Sequence, residues 1–454
     1  MEASNDRSRS MSKKIFTLIG AGSTVFTPGL MHDLAQSKLS DNFEVHLYDI
    51  NVESSEIMAK VGNRISELHG SKMIVKAFDS QREALKGSHF VTTTIAVGAA
   101  AGWKADLEIP RKYGIHQTVG DSVGPGGVLR ALRHVPALVS IAEDIADVAP
   151  TAWYINYSNP LTANVRGITK YTGVNVVGLC HGTMHTRSKL LADLNIPDVG
   201  VETIFAGINH LCWLLDIKRG SENLYPLLKS AIEQKGGHKG SPINYDEGIH
   251  SPVSFDLFKT FGLYPAPGDR HVAEFFGGYL TLQESGELDW GLQGGLNLTE
   301  LYIGEKSDLW DELRGQADGS IPVHKRDNQE AERLVSIAEA LITGKSHVEL
   351  AVNVPNNGAI SSLPPEAVVE VPAVIGANGV TPLRVGPLPK AISTVLTQRS
   401  QQQELTVTAA REQSRSSALQ ALYLDPLVAS YQKATGILDD AIAFDPLHLG
   451  GFAK

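Results

Sequence analysis

The 454-residue chain contains only two cysteines, Cys180 and Cys212, which are too few for a disulfide framework. This scarcity indicates a reducing compartment, and we predict a cytoplasmic protein. No apolar run reaches the roughly 18 residues that a membrane span needs. The polar, Ser- and Arg-rich stretch 1–12 lacks the apolar segment of a signal peptide, and we interpret it as a disordered leader.

Basic charge is also scarce. The chain carries 40 Lys and Arg against 50 Asp and Glu, which gives a formal net charge of −10 with neutral histidine, and it has no basic run. This acidity argues against a nucleic acid or an anionic membrane as a partner. We therefore expect a small-molecule ligand, and any binding site for an anionic one must be local.

The length and the hydrophobic pattern predict two domains. Apolar strands alternate with helices over residues 13–205, as is typical of βαβ units in a Rossmann-type, doubly wound parallel sheet. The predicted strands of this part are 14–19, 44–48, 73–77, 90–96, 152–156 and 175–179. The pattern weakens over residues 206–454, where we predict an α+β domain with loops at Pro364-Pro365 and 376–389.

A glycine-rich turn follows the first strand. Gly20-Ala21-Gly22-Ser23 permits close approach of a pyrophosphate at a helix N-terminus, although Val25 stands where the usual fingerprint has a third glycine. Asp49 follows the next predicted strand. A carboxylate there would accept hydrogen bonds from the ribose hydroxyls of NAD, and it would repel the 2′-phosphate of NADP. The alternative is a plain strand-turn-helix with Asp49 as a helix cap. The candidate cofactor-binding residues are Gly20, Gly22, Ser23, Thr24, Asp49 and Gly98.

Two polar segments follow. Residues 116–127 have no helix or strand period and contain four glycines, which indicates an ordered loop whose backbone approaches a ligand. Asp121 is the acid of this loop, and capping of a helix is its alternative role. Asn159 follows the strand 152–156 at its carboxyl end, where its amide could bind a sugar hydroxyl or simply form a turn with Pro160.

A cysteine and a histidine stand after further strands. Cys180-His181-Gly182 follows the strand 175–179, and His210 closes the segment Gly207-Ile208-Asn209-His210. A thiolate with an imidazole can hold a divalent metal and leave positions open for substrate oxygens. Two ligands are too few for a closed structural zinc site. The alternative is a buried cysteine with an unrelated histidine.

Taken together, these segments resemble glycoside hydrolase family 4, with which Gly268-Asp269-Arg270-His271-Val272-Ala273-Glu274 and Val354-Pro355-Asn356-Asn357-Gly358 also agree. The resemblance covers residues 13–440. It implies a fold like lactate and malate dehydrogenases with an added C-terminal domain, bound NAD, a manganese ion and a homo-oligomer, either a dimer or a tetramer. It also implies that Cys180 and His210 are the metal ligands.

The same resemblance implies a mechanism without paired carboxylates. The sugar C3 is oxidised by NAD, the C2 proton is removed, the aglycone leaves, water adds and the ketone is reduced again. It suggests Asp269 as the base, with Tyr264 as the second choice, and Asp121 as the general acid. His181, a further candidate catalytic residue, stands where phospho-sugar members carry Asp or Asn, which disfavours a phospho-sugar substrate.

The Cys-His-Gly triplet resembles that of the α-glucuronidases of the family. It therefore implies an α-glycoside of an anionic sugar, either a uronide or a sulfo-sugar like the substrates of NAD-dependent sulfoquinovosidases. Asn159, Arg270 and Arg130 are the candidate substrate-binding residues, with Arg133 and Lys104 as further cations. The alternatives are neutral α-glucosides or α-galactosides, and an NAD-dependent hydroxy-acid or sugar dehydrogenase.

Overall fold

The computed structural model describes residues 12–235, 251–326 and 332–454. The predicted leader, except for Ser12, lies outside these ranges. Within them, no helix is both long and apolar enough to cross a membrane. The chain forms two compact units that are interleaved along the sequence. The first unit takes Met1–Ile95, Asp144–Tyr154 and Ser307–Glu339, and the second takes Ala96–Glu143, Ile155–Lys306 and Ala340–Lys454.

The described elements are numbered in chain order. The strands are β1 (Lys14–Ile19), β2 (Phe43–Tyr48), β3 (Ile74–Phe78), β4 (Phe90–Thr93), β5 (Trp153–Asn156), β6 (Asn175–Gly178), β7 (Val201–Ile208), β8 (Leu211–Arg219), β9 (Glu222–Asn223), β10 (Tyr264–Ala266), β11 (His347–Pro355), β12 (Val368–Gly376) and β13 (Gly379–Pro382). The helices are α1 (Phe26–Gln36), α2 (Val52–Leu68), α3 (Gln81–Leu85), α4 (Ala99–Lys112), α5 (Gly124–Val148), α6 (Leu161–Tyr171), α7 (Gly182–Asp193), α8 (Tyr225–Lys235), α9 (Pro252–Phe261), α10 (Asp269–Val272), α11 (Gly295–Asp318), α12 (Leu334–Thr343), α13 (Lys390–Glu412), α14 (Arg415–Tyr423), α15 (Tyr431–Phe444) and α16 (Pro446–Leu449).

The first unit is built on parallel strands in the order β4-β1-β2-β3. Apolar residues dominate β1 and β2, and most of their side chains are buried, as expected when helices cover a parallel sheet. Helices α1 and α2 pack against each other, and α2 also packs on β3. This arrangement brings the carboxyl ends of β1 and β2, with Gly20 and Asp49, to the same edge of the sheet.

The second unit contains a sheet in the order β6-β11-β12-β7-β8-β10, in which the neighbouring strands are antiparallel. A two-residue turn, Asn209-His210, joins β7 to β8. Helices α4, α5 and α6 share a hydrophobic core with α13, α14 and α15. The carboxyl end of β6 and the β7–β8 turn present the cysteine and the histidine that the sequence singled out.

The predicted Rossmann-type parallel sheet with an added α+β part is confirmed. The loop predicted at 116–127 is wrong in its last third, because Gly124 begins α5. Three glycines and a proline have poor helix propensity, but Pro125 lies in the first helical turn, where no amide bond is lost. Strand β13 lies inside the loop predicted at 376–389. The boundary at 205/206 stays a prediction about domains.

A buried ion pair ties α4 to α5. Arg133 donates through both terminal nitrogens to the two carboxylate oxygens of Asp106, at 2.9 and 2.6 Å. The two side chains are only 2% and 1% exposed. Solvent screening is weak at such a site, so the loss of either partner would leave a desolvated charge behind.

We expect Asp106→Ala to destabilise the protein by about 3–5 kcal/mol, because it leaves the buried Arg133 guanidinium with the more distant Asp445, 3.8 Å from its Nε, as its acidic partner. The matched control is Asp439→Ala, which removes the exposed partner of Arg415 and should cost about 0–1 kcal/mol. Urea unfolding followed by circular dichroism measures both. Equal losses of stability in the two variants would contradict a buried, energetically important pair.

Candidate active site

The first unit forms a tight turn between β1 and α1. Gly20 has φ +86°, and a Cβ there would lie 2.9 Å from the Ile95 side chain, so only glycine fits without strain. The Gly22 amide donates to Asp49 Oδ2 at 2.8 Å, and the Asn51 amide donates to Oδ1 at 2.9 Å. Asp49 therefore braces the turn itself, and its partly exposed carboxylate retains acceptor capacity for a ligand hydroxyl.

The other predicted cofactor residues differ in what they contact. The Ser23 hydroxyl accepts the Phe26 amide at 3.2 Å, so it caps the first turn of α1. Thr24 is 7% exposed, and its hydroxyl has no hydrogen-bond partner among the described residues. An orphaned hydroxyl beside a glycine turn and a helix N-terminus fits a ligand phosphate. Gly98 belongs to the second unit, where it precedes α4 with φ +84°.

In the second unit, Cys180 and His210 converge. Cys180 follows β6, and its Sγ lies 3.5 Å from His210 Nε2. The Gly182 amide donates to the same sulfur at 3.4 Å. His210 has φ +64°, a conformation that costs non-glycine residues free energy and is concentrated at functional sites. The two predicted metal ligands therefore point at each other.

Ser122 orients the imidazole of His210. Its hydroxyl donates to Asp121 Oδ1 at 2.8 Å and lies 2.9 Å from His210 Nδ1, so that nitrogen must be the donor of the pair. In the neutral ring, Nε2 would carry a lone pair directed toward Cys180, as a metal requires, and the proton that the ring holds there at neutral pH would be released when a metal binds. Burial alone would lower the pKa of His210, but the charges of Cys180, Asp121 and Glu370 raise it to about 9.

Asp121, Asn159 and Arg130 form a connected group. Asn159 Nδ2 donates to Asp121 Oδ2 at 2.9 Å, and Arg130 Nε donates to the Asn159 carbonyl at 3.1 Å. Burial raises the pKa of Asp121, but His210, His271 and Arg130 outweigh it, and the net pKa is lowered. Asp121 is therefore a carboxylate in this arrangement, and its role as a general acid stays a prediction.

A carboxylate that the sequence analysis did not assign holds the Asp121 loop. One oxygen of Glu274 accepts three consecutive amides, those of Thr118, Val119 and Gly120, at 2.7–2.9 Å. Burial raises the pKa of Glu274 to about 7, against the effect of these amides. Arg270 adds to the same clamp, because its guanidinium donates to the Thr118 carbonyl at 2.8 Å. Arg270 is thus largely engaged in holding the loop.

His271 is a second missed residue. Its ring meets that of His210 edge to face, with centroids 4.2 Å apart. Burial, with the charge of His210, lowers the pKa of His271 well below its usual value. The one sequence signal for His271 and Glu274 was their presence in the segment that resembles family 4.

The glycines of the Asp121 loop meet protein atoms. A Cβ at Gly120 would lie 2.4 Å from Leu107, and one at Gly127 would lie 2.5 Å from the Ser122 backbone. Packing therefore accounts for these two glycines, and the expectation that the backbone of this loop approaches a ligand stays a prediction. The glycines let the loop lie tightly against α4 and the start of α5, which fixes where Asp121 projects.

The two candidate bases have different surroundings. Asp269 accepts the amides of Val253 and Ser254 and the Ser254 hydroxyl, at 2.6–2.9 Å, so it caps the first turn of α9. Burial raises its pKa to about 6. Tyr264 lies on β10, is 2% exposed and packs near Phe255, and burial raises the pKa of its phenol. The Tyr264 phenol also interacts with Ser254 and Ser251, so both candidate bases are engaged with neighbouring groups.

The remaining candidate residues lie at the start of α7 and within α4 and α5. Gly182 packs against Pro267, and a Cβ at residue 182 would lie 2.5 Å from the proline Cβ. The glycine of Cys-His-Gly thus has a packing reason of its own. His181 precedes α7 and is partly exposed. Arg133 is engaged with Asp106, and Lys104 lies 3.7 Å from Glu108, so neither is a favoured clamp for substrate.

Comparisons with known proteins cover most of the chain. The model of the family 4 glycosyl hydrolases matches residues 14–196, and the model of the family 4 C-terminal domain matches residues 205–428. An α-galactosidase of Bacillus subtilis is 32% identical over 422 residues, which cover 91% of this chain and 93% of the relative. An α-galacturonidase of Thermoanaerobacterium saccharolyticum is 32% identical over 434 residues, 90% of each chain.

Several solved structures share the fold of this chain. A proposed glucosidase of Bacillus subtilis superimposes with a TM-score of 0.84 at 29% identity, covering 95% of this chain and 100% of that one. A 6-phospho-α-glucosidase from gut microorganisms, solved with NAD and Mn²⁺, has a TM-score of 0.78 at 22% identity over 96% and 99%. A malate dehydrogenase of Cryptosporidium parvum (TM-score 0.53, 16% identity, 88% and 99% covered) shares the fold. The chain therefore belongs to family 4 of the glycosyl hydrolases.

Proposed function

We propose that the protein is an NAD- and manganese-dependent α-glycosidase that hydrolyses the α-glycoside of a hexuronic acid, with an α-galacturonide as the first candidate. The observation that carries the proposal is the convergence of Cys180 Sγ and His210 Nε2 beside the Asp121–Asn159 pair. Relatives at about one-third identity include α-galacturonidases, and a fold neighbour binds NAD and Mn²⁺.

The residues present fit both groups. Cys180 and His210 would hold the metal through sulfur and nitrogen and leave positions open for substrate oxygens. The Gly20–Gly22 turn, the orphaned Thr24 hydroxyl and Asp49 would hold the dinucleotide. When bound, NAD supplies a hydride acceptor and the metal a Lewis acid for a sugar oxygen.

The chain's own residues prepare the site for a sugar. Ser122 fixes the His210 tautomer, and Asn159 offers its amide beside Asp121 for a sugar hydroxyl. Glu274 keeps Asp121 and Ser122 in place by binding the three preceding amides. Asp269 and Tyr264 both stay candidates for the base that removes the C2 proton: Asp269 is engaged in capping α9, and burial raises the pKa of the Tyr264 phenol, which would have to give up its proton before it could act.

Arg130 is our choice for the partner of a C6 carboxylate. It is partly exposed, and its Nε is anchored on the Asn159 carbonyl. Arg270 is nearly buried and Arg133 is bound to Asp106, so Arg130 is the best-placed of the three guanidiniums. A guanidinium can bind a carboxylate through two parallel, charged hydrogen bonds. A neutral sugar has no carboxylate with which to form them.

A neutral α-galactoside is the second candidate substrate. The α-galactosidase relative is as similar to this chain as the α-galacturonidase is. In addition, Pro267 leaves no room for a side chain at residue 182, so packing explains the glycine of the Cys-His-Gly triplet. The triplet by itself therefore does not indicate an anionic sugar.

We expect p-nitrophenol release from p-nitrophenyl α-galacturonide, with NAD and Mn²⁺ present and without net NADH, because the cofactor is restored in each turnover. The matching α-glucuronide, α-galactoside, α-glucoside and α-sulfoquinovoside complete the panel. Absorbance at the wavelengths of p-nitrophenolate and NADH follows both products. NADH accumulating in step with substrate consumption would instead identify a dehydrogenase.

The two cysteines provide a matched test of the metal site. We expect EDTA to abolish glycosidase activity and Mn²⁺ to restore it in the unaltered protein. Cys180→Ser should abolish this recovery, because the thiolate ligand is lost. Cys212→Ser, at a buried position where the thiol donates to the Ile208 carbonyl, should recover normally. Full activity of Cys180→Ser at low Mn²⁺ would remove the cysteine from the metal site.

Arg130→Met should lower kcat/KM for the α-galacturonide relative to the α-galactoside by roughly 10- to 150-fold, since charged hydrogen bonds contribute about 1.5–3 kcal/mol. The ratio of the two substrates cancels any general loss from the Asn159 contact. Lys104→Met serves as the control, and its ratio should not change. An unaltered ratio in Arg130→Met would exclude this arginine as the carboxylate partner.

A further inference from the structure

A glutamate occupies an unusual place in the sheet of the second unit. Glu370 lies on β12, between β11 and β7, with Gly207 of β7 as its partner in the ladder. It is 2% exposed, and the flanking Val369 and Val371 are fully buried. A carboxylate in the middle of an apolar sheet costs free energy unless its environment compensates the charge.

Three neutral donors reach this carboxylate. The Thr183 hydroxyl donates to Oε1, and the side-chain amides of Asn209 and Asn353 both donate to Oε2 at 2.9 Å. These bonds satisfy the oxygens but bring no positive charge. The negative charge of Glu370 is therefore available to act on a cation held nearby.

The donors belong to the two segments that carry the metal ligands. Thr183 lies in the first turn of α7, three positions after Cys180, and Asn209 immediately precedes His210. Asn353 also contacts the Gly178 carbonyl at 3.4 Å, on the strand that leads to Cys180. One side chain thus joins the cysteine segment to the strained turn that holds His210 at φ +64°.

We propose that Glu370 is a positioning residue for the divalent metal, whose carboxylate holds the Cys180 and His210 segments at their mutual distance and whose buried charge favours a cation between them. This inference rests on the proposed function, because it assumes that these two residues bind Mn²⁺. Outer groups that orient metal ligands typically contribute 10- to 100-fold in metal affinity.

The test compares Glu370→Gln, which keeps the shape and removes the charge, with Glu349→Gln. Glu349 is a matched control: it is a buried glutamate on the adjacent strand β11, where it bonds His347 at 2.9 Å. Each full-length protein is stripped with EDTA and titrated with Mn²⁺, and free Mn²⁺ is measured by electron paramagnetic resonance. We expect the Kd to rise about 10- to 100-fold in Glu370→Gln and less than about twofold in the control.

Thr183→Val supplies an independent variant, because it retains the charge and removes one donor. It should weaken Mn²⁺ binding by less than Glu370→Gln does, and by more than the control. Thermal unfolding followed by circular dichroism identifies folded variants. If Glu370→Gln does not fold, the Thr183→Val variant tests the inference in its place. A Kd for Mn²⁺ in Thr183→Val equal to that of the unaltered protein would then overturn the inference.

The outcomes separate the two claims. A folded Glu370→Gln variant with the Kd of the unaltered protein would overturn the role of Glu370 and leave the proposed function intact. An unaltered protein that binds no Mn²⁺ would overturn the proposed function and this inference together. A purely structural Glu370 would lower the unfolding midpoint without changing the Kd of the folded protein.

Discussion

Buried negative charge is the constraint on which the site in the second unit depends. The carboxyl groups of Glu274 and Glu370 are buried, and the side chain of Asp121 is 17% exposed. Backbone amides hold Glu274, side-chain donors hold Glu370, and Asp121 receives a serine hydroxyl and an asparagine amide. Since hydrogen bonds satisfy oxygens without neutralising charge, the carboxylates of Asp121 and Glu370 favour a bound cation. The cysteine and histidine that converge there are suitable ligands for one.

The same carboxylates give the site its rigidity. Glu274 binds the backbone just before Asp121, and Glu370 binds the residues next to the two metal ligands. Long-range contacts of this kind fix side chains that stand on loops, where the backbone alone would leave them mobile. The site is therefore made from turns at strand ends, but each turn is bonded to a distant element by a buried acid.

Much of the architecture could be predicted because it depends on local patterns. The apolar stretches of β1 and β2 and the Gly20 turn have periods and turn residues that short-range physics explains. The start of α5 was missed, because Gly124, Gly126 and Gly127 have low helix propensity. Neighbouring atoms leave no room for a side chain at these three positions, which explains why glycines stand there. Strand β13 was missed because it has only four residues, begins with glycine and ends with proline, two residues that are depleted in strands.

The sequence by itself determined the strand-helix alternation, the dinucleotide-type turn and the presence of a cysteine and a histidine after two strands. The tertiary structure decided which polar side chains meet. Only folding brings Ser122 to His210, Glu370 to both ligand segments, and Asp269 to the first turn of α9. The reason is physical: periodicity reports which face of an element is buried, whereas hydrogen bonds between distant segments depend on distances that no local pattern encodes.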